Sequence, residues 1–227
     1  MRTDGFIGGV YVITEWIMRL AVTNLLWVLF NIPIIFVGLN LLIVDSTSEF
    51  IFLCTIIMGL LPFFFFPATM SMFALIRRWI MKELDIPIIR SFWKHYKENY
   101  IRSMLGGFII VFIWAVLLVD YYYFVNFVND LTKYFFYALF TYLVMFTIQF
   151  FSNTVHFQTK LLPSLKNSLL MTLKNPLISL AVSFINILIV VISFKLAPFL
   201  IPFFMGALIT SFSFIVFYKL SLRLHSN

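Results

Sequence analysis

The chain has 227 residues, 63% of them hydrophobic and 20% aromatic, with only 11% charged and a mean hydropathy of +1.03. A soluble domain carries roughly 25% charged residues. This chain therefore has too little polar surface to cover a water-exposed globule, and the same figures exclude disorder and a separate soluble domain. The formal charge of +7 would suggest nucleic acid in a soluble protein; in an apolar chain its distribution is a topology signal, and no nucleic-acid partner is expected.

An apolar helix needs about 20 residues to cross a hydrocarbon core of roughly 30 Å. Ahead of the first such run, Phe6 to Met18 predicts a short interfacial helix with Tyr11 and Trp16 as headgroup anchors, and no cleavable signal is expected. The first span is expected over 20–44, with a kink at Pro33, and the second over 50–76, where the prolines of PFFFFP, Pro62 and Pro67, predict a bend. Cys54, in that second run, is the single cysteine and cannot form an intrachain disulfide. The third span follows over 103–119 and the fourth over 134–155. Pro176 opens the fifth, 177–194, and the sixth runs over 196–218. The expected fold is all-α: one membrane domain over 1–227, a polytopic bundle of six transmembrane helices with amphipathic linker helices.

The charges segregate along this pattern. Every lysine and arginine except Lys133 and Lys195 falls in the N-terminal segment (Arg2, Arg19), the second linker, the fourth linker or the C-terminal tail (Lys219, Arg223). With six spans these four segments share one side, while Asp45, Glu49, Asp120 and Asp130 share the other. The positive-inside rule then places both termini in the cytoplasm of a bacterial cell membrane.

Two linkers have their own periodicity. In RRWIMKELDIPIIRSFWKHYKENYIR, Phe92, Trp93, Tyr96 and Tyr100 recur at three and four, with Arg90, Lys94 and Lys97 at other angles. This predicts an amphipathic helix capped by Asp85 with Pro87 in its first turn. Arg77, Arg78, Arg90, Trp93, Lys94 and Lys97 form the candidate surface for anionic lipid headgroups or a protein partner. In the fourth linker, Leu162, Leu165, Leu169 and Leu173 form a stripe, with Lys166 and Lys174 off it.

No ionisable residue lies at the centre of a span, which argues against proton coupling. Neutral polar residues do form stripes: Asn24 and Asn31 on the first span; Gln149, Asn153 and His156 on the fourth; Ser179, Ser183, Asn186 and Ser193 on the fifth; Gly206, Thr210 and Ser213 on the sixth. These faces are expected to turn inward, either as packing surfaces with interhelical hydrogen bonds or as a polar cavity for a neutral solute lined by Asn24, Asn31, Gln149, Asn153, His156 and Asn186. No metal-ligand spacing, nucleophile elbow, P-loop or dinucleotide fingerprint is present, so neither catalytic residues nor a metal or cofactor is expected, and the chain reads as a non-enzyme.

The stretch from Phe66 to Gly107 resembles the YesL family of bacterial membrane proteins, a domain of unknown function. The resemblance is carried by Pro67, Ala68 and Thr69, by Arg77 and Trp79, by Asp85 to Pro87, by Phe92 and Trp93, and by Lys97; Asn24 to Pro33 looks like the family's first span. Family members often have a glycine where this chain has Met81 and Lys82. The resemblance implies a six-helix bacterial membrane protein, often encoded beside carbohydrate-uptake genes. The functional expectation is an accessory or scaffolding component of sugar import, with carbohydrate ABC importer subunits as partners; a permease-type subunit that binds a neutral polar solute is the alternative.

Overall fold

The structure is a computed structural model that describes residues 6–225, their side chains from 8 to 222. Arg2 and the side chain of Arg223, both counted in the charge segregation, lie outside the described residues. Every described element is helical: α1 Phe6–Phe30, α2 Ile32–Asn40, α3 Thr47–Leu60, α4 Phe65–Ile80, α5 Ile88–Phe127, α6 Thr132–Phe157, α7 Leu161–Lys174, α8 Pro176–Lys195, a five-residue π-helix Ile201–Met205, and α9 Gly206–His225. Five stretches are long and apolar enough to cross a membrane: Gly8–Phe30, Ile88–Phe127, Thr132–Phe157, Pro176–Lys195 and Ile201–Leu222. The pair α3 and α4, bent by 46°, makes a sixth if it is one broken span. This is the helix set of a multi-pass membrane protein.

Burial is inside-out relative to a soluble protein. Leu177 is 80% and Phe112 69% exposed, whereas Ser168, Asn153 and Thr172 are fully buried. In lipid, apolar side chains gain nothing by leaving the solvent, so small and hydroxyl-bearing residues take the helix interfaces. The stripes expected to turn inward do so: Ser179, Ser183, Asn186 and Ser193 on α8, and Thr210 and Ser213 on α9, are all buried.

Several boundaries differ from the sequence expectation, each for a local reason. The separate interfacial helix over 6–18 does not exist; α1 runs unbroken to Phe30, and the Glu15–Arg19 ion pair, one turn apart, neutralises the two charges that suggested a boundary. The first run breaks instead at Asn31 (φ −98°, ψ 7°), two residues before Pro33. The bend in the second run falls at residues 61–64, beside Pro62 as expected. The third span and the second linker are one helix, α5, of 40 residues. At 1.5 Å per residue it is about 60 Å long, twice the hydrocarbon thickness. Asp85 does not cap it: Pro87 is the N-cap, with extended ψ of 116°, and no side chain accepts there. The last span begins at Ile201 instead of residue 196, because Pro198 and Pro202 prevent regular helix across the turn.

The fourth linker is helical, and it packs through a face other than its leucine stripe. α7 buries Ser164, Ser168 and Thr172, spaced by four, against α6, while Leu162, Leu169 and Leu173 face outward. Ser164 and Thr154 of α6 share a hydrogen bond at this seam. The leucine stripe is the lipid-compatible face, and the hydroxyl stripe is the packing face.

The centre of the bundle is α4, buried continuously from Phe66 to Ile76 and packed by α1, α5, α6 and α9. Phe66, Phe73, Phe150, Phe151 and Phe214 fill one side of it, with Phe73 stacked on Phe151 at 5.4 Å. Met72, Leu75, Trp79 and Phe92 fill the side toward α1. α5 crosses α4: its first turns meet α1, with Phe30 against Phe92, Trp93 and Tyr96, and its middle meets α6, with Gly106 against Phe150. Between these, Ser71 Oγ donates to the Phe92 carbonyl at 2.5 Å. α5 thereby carries residues 94–102 from the α1 side to the α6 side, over the end of α4.

Candidate functional site

The end of α4 closes on a tight turn. The N–H groups of Met81, Glu83 and Lys82 donate to the carbonyls of Arg77, Arg78 and Trp79. Lys82 sits at φ 70°, the left-handed conformation in which glycine carries no steric penalty. This is the turn where the YesL family often has its glycine.

Beside that turn lies a cavity of about 780 Å³. Three segments supply its charged lining: the end of α4 (Arg77, Arg78) with Glu83, one face of α5 (Lys94, His95, Glu98, Arg102), and the α6–α7 junction (Gln158, Thr159, Lys160). The α5 residues converge because 94, 98 and 102 are one helical turn apart. The junction is held in place by two devices. Gln158 ends α6 in a left-handed conformation (φ 52°), and Arg102 donates to the Thr159 carbonyl at 2.8 Å while also bonding Asn99.

Cations exceed carboxylates in this lining, and the carboxylates are engaged. Glu83 pairs with Arg78 at 2.7 Å; Glu98 accepts from His95 Nδ1 at 3.2 Å and lies 3.8 Å from Lys94. Three polar atoms on the wall are buried and have no hydrogen-bond partner among the described residues: Arg77 Nε, His95 Nε2 and Thr159 Oγ1. Such an arrangement is suited to an anion and has no nucleophile paired with a base. Among the described residues no group of three His, Cys, Asp or Glu side chains is placed to hold a metal ion.

Of the surface expected from the sequence, Arg77, Arg78 and Lys94 line this cavity. Arg90 and Trp93 border a separate, shallow apolar patch with Val22 and Ile88, and Lys97 stands 4.8 Å over the Trp93 ring. Phe92, expected on the amphipathic face, is fully buried. His95, Glu98 and Arg102 were readable as a second face of the same helix by their spacing; Gln158 to Lys160 carry no local signal.

Four of the neutral polar residues bond separate partners, while Gln149 Oε1 and the side-chain oxygens of Asn31, Asn153 and Asn186 are buried without a hydrogen-bond partner among the described residues. Asn24 donates to the carbonyls of Ile201 (2.9 Å) and Pro202 (2.7 Å) and accepts from Ala207 N (3.0 Å). Asn31 donates to Trp27 O within its own helix, Asn153 to Met171 Sδ, and Asn186 to Ser213 Oγ. His156 is ringed by Phe157, Phe214, Phe217 and Tyr218. Gln149 borders a void of about 10 Å³ with Ser179 and Ser183. The larger intramembrane cavity, about 280 Å³, is apolar and lies between Trp27, Phe73, Trp114 and Phe151, with Thr69 accepting from Trp27 Nε1 at its edge.

Residues 20–121 match the model of the family described as "Protein of unknown function, DUF624". The chain is similar to two uncharacterized proteins of Bacillus subtilis (strain 168). It is 32% identical to YteU over 120 residues, 53% of this chain and 43% of YteU. It is 29% identical to YesL over 96 residues, 42% of this chain and 34% of YesL. The matched segment thus spans less than half the length of either relative. No solved structure matches. The family match includes the α4 and α5 walls of the basic cavity and stops before the α6–α7 junction. Through residues 20–121 the chain is YesL-like and carries the DUF624 family pattern.

Proposed function

We propose that this protein is an accessory or scaffolding component of the bacterial cell membrane, with both termini cytoplasmic, that docks a partner at its basic end and serves carbohydrate uptake. The observation that carries this reading is the basic cavity, together with the exposed residues Arg90, Trp93 and Lys97 outside it on α5. Both features use the segment of α5 that is surplus to a membrane crossing. Cations concentrated there support a cytoplasmic orientation, and each Lys or Arg near an anionic leaflet contributes about 1 kcal/mol. The carbohydrate side of the reading rests on the YesL resemblance alone. The permease alternative is less supported, since Asn24, Asn153 and Asn186 bond separate partners and the void beside Gln149 is only about 10 Å³.

The test is purification of the tagged full chain from native membranes after cross-linking, beside an Arg90→Glu/Lys97→Glu variant. Carbohydrate ABC importer subunits recovered with the parent and depleted with the variant are expected. Equal recovery from both, or no importer subunit from either, overturns the reading.

A further inference from the structure

The cavity has a feature that a general docking surface does not need: an arginine at its wall with no acceptor. Arg77 is in the last turn of α4, where a cation ordinarily finds the free carbonyls of the helix end. Here the carbonyls of Arg77, Arg78 and Trp79 are already taken by the N–H groups of the following turn. The nearby carboxylates are taken as well, Glu83 by Arg78 and Glu98 by His95 and Lys94. Arg77 Nε is buried and unbonded. Across the cavity, Thr159 Oγ1 is buried and unbonded too, and Lys160, the N-cap of α7, makes no side-chain capping bond. Leaving several donors of a partly buried basic wall without acceptors is costly unless a ligand completes them.

We infer that this cavity binds a phosphate-bearing anion, gripped by the guanidinium groups of Arg77 and Arg102 and by the Thr159 hydroxyl and Lys160 at the head of α7. A planar guanidinium presents two parallel donors that match two phosphate oxygens, which a single lysine does not. Arg102 is pre-oriented for this role by its bonds to Thr159 O and Asn99. A volume of about 780 Å³ accepts a phosphate with an organic group attached and falls within the roughly 300–1,000 Å³ typical of small-ligand sites. The same phosphomonoester chemistry occurs on a free metabolite and on a lipid headgroup. The inference rests on the basic end being the working face of the protein, and it requires no protein partner.

The experiment uses the purified full chain in phosphatidylcholine nanodiscs, titrated with glycerol 3-phosphate by calorimetry, and in nanodiscs doped with phosphatidic acid, followed by native mass spectrometry. Binding of glycerol 3-phosphate in neutral discs assigns a free phosphomonoester; retention of phosphatidic acid without that binding assigns a lipid headgroup. In either case Arg77→Gln weakens binding at least about tenfold, as expected for a lost charge-assisted pair. Thr159→Val weakens it less, and Lys133→Gln, in the first turn of α6 and away from the cavity, leaves it unchanged. Absence of binding to both probes overturns the inference. So does binding that Arg77→Gln and Thr159→Val leave at the parental level. Because the protein is alone in the disc, phosphate binding with failed importer recovery would sink the proposed partner and leave this site standing.

Discussion

Asn24 makes the most consequential polar contact in the bundle. The π-helix Ile201–Met205 exists because Pro198 and Pro202 interrupt regular hydrogen bonding, so backbone groups there need outside partners. Asn24 is fully buried and supplies three: its amide donates to Ile201 O and Pro202 O, and its carbonyl accepts from Ala207 N. Interhelical bonds in membranes average about 0.6 kcal/mol and reach about 1.7, so three of them contribute roughly 2 and at most about 5 kcal/mol. Asn24→Ala also takes the acceptor from the buried Ala207 N–H, which keeps the expected loss at about 2–4 kcal/mol. Unfolding in mixed micelles by increasing dodecyl sulfate, read from tryptophan fluorescence, measures it, since Trp27 lies one turn away. Asn24→Asp keeps the acceptor for Ala207 N–H but sets a second oxygen against the Ile201 and Pro202 carbonyls, so it should cost at least as much as Ala. Asn40→Ala, which removes an exposed bond within one helix, is the control. A loss under about 0.5 kcal/mol for Asn24→Ala would refute the reasoning, because it would mean that the π-helix satisfies itself.

Other outcomes follow from the same packing. A Cβ on Gly107 would stand 2.8 Å from Phe66 and 3.0 Å from the Pro62 Cα, so Gly107→Ala should cost about 1–3 kcal/mol in the same unfolding assay. Gly59→Ala, in open space on α3, should be neutral or stabilising by up to about 1 kcal/mol. Lys82→Gly should stabilise by about 0.5–1 kcal/mol, relieving a left-handed residue on an exposed turn. In a Cys54→Ser background, a cysteine at Asp130 should react with an impermeant maleimide in whole cells, and one at Lys97 only after permeabilisation; the reverse result would invert the proposed orientation.

Composition and apolar run lengths were enough to read the class, the approximate place of the later spans and the bend beside Pro62, while the first span lies over Gly8–Phe30 instead of 20–44. What was illegible depends on partners distant in sequence. The boundary expected near Arg19 failed because one Glu15–Arg19 pair makes that turn compatible with a continuous helix. Asn24 looked like half of a stripe with Asn31; its real partners are almost 180 residues away, in a segment whose π geometry no periodicity announces. In α7 the sequence reading singled out the leucine stripe, while the equally regular Ser164, Ser168 and Thr172 stripe was present and is the buried one. The cavity was half legible: Arg77, Arg78 and Lys94 stood out as charge, but Thr159 and Lys160 join them only because Arg102 ties the α6–α7 junction to α5.

The position of α4 shows which solvent this fold is built for. α8 carries no charged residue before Lys195, yet it leaves Leu177, Phe184 and Ile187 largely exposed. α4 contains Thr69, Ser71, Arg77 and Arg78, yet its residues from 66 to 76 are buried without interruption. In water the order would be reversed, since burial would follow apolarity. In lipid the interior goes to the helix with the closest packing and the most hydrogen bonds to its neighbours. α4 meets that condition through Thr69 with Trp27, Ser71 with the Phe92 carbonyl, and Met72 with Thr210. The arginines at its end are the consequence: a helix held on all sides by others delivers Arg77 and Arg78 to the point where α5, α6 and α7 converge. The basic cavity is therefore anchored to the most constrained element of the bundle, and an anion bound there would meet a wall fixed by the core.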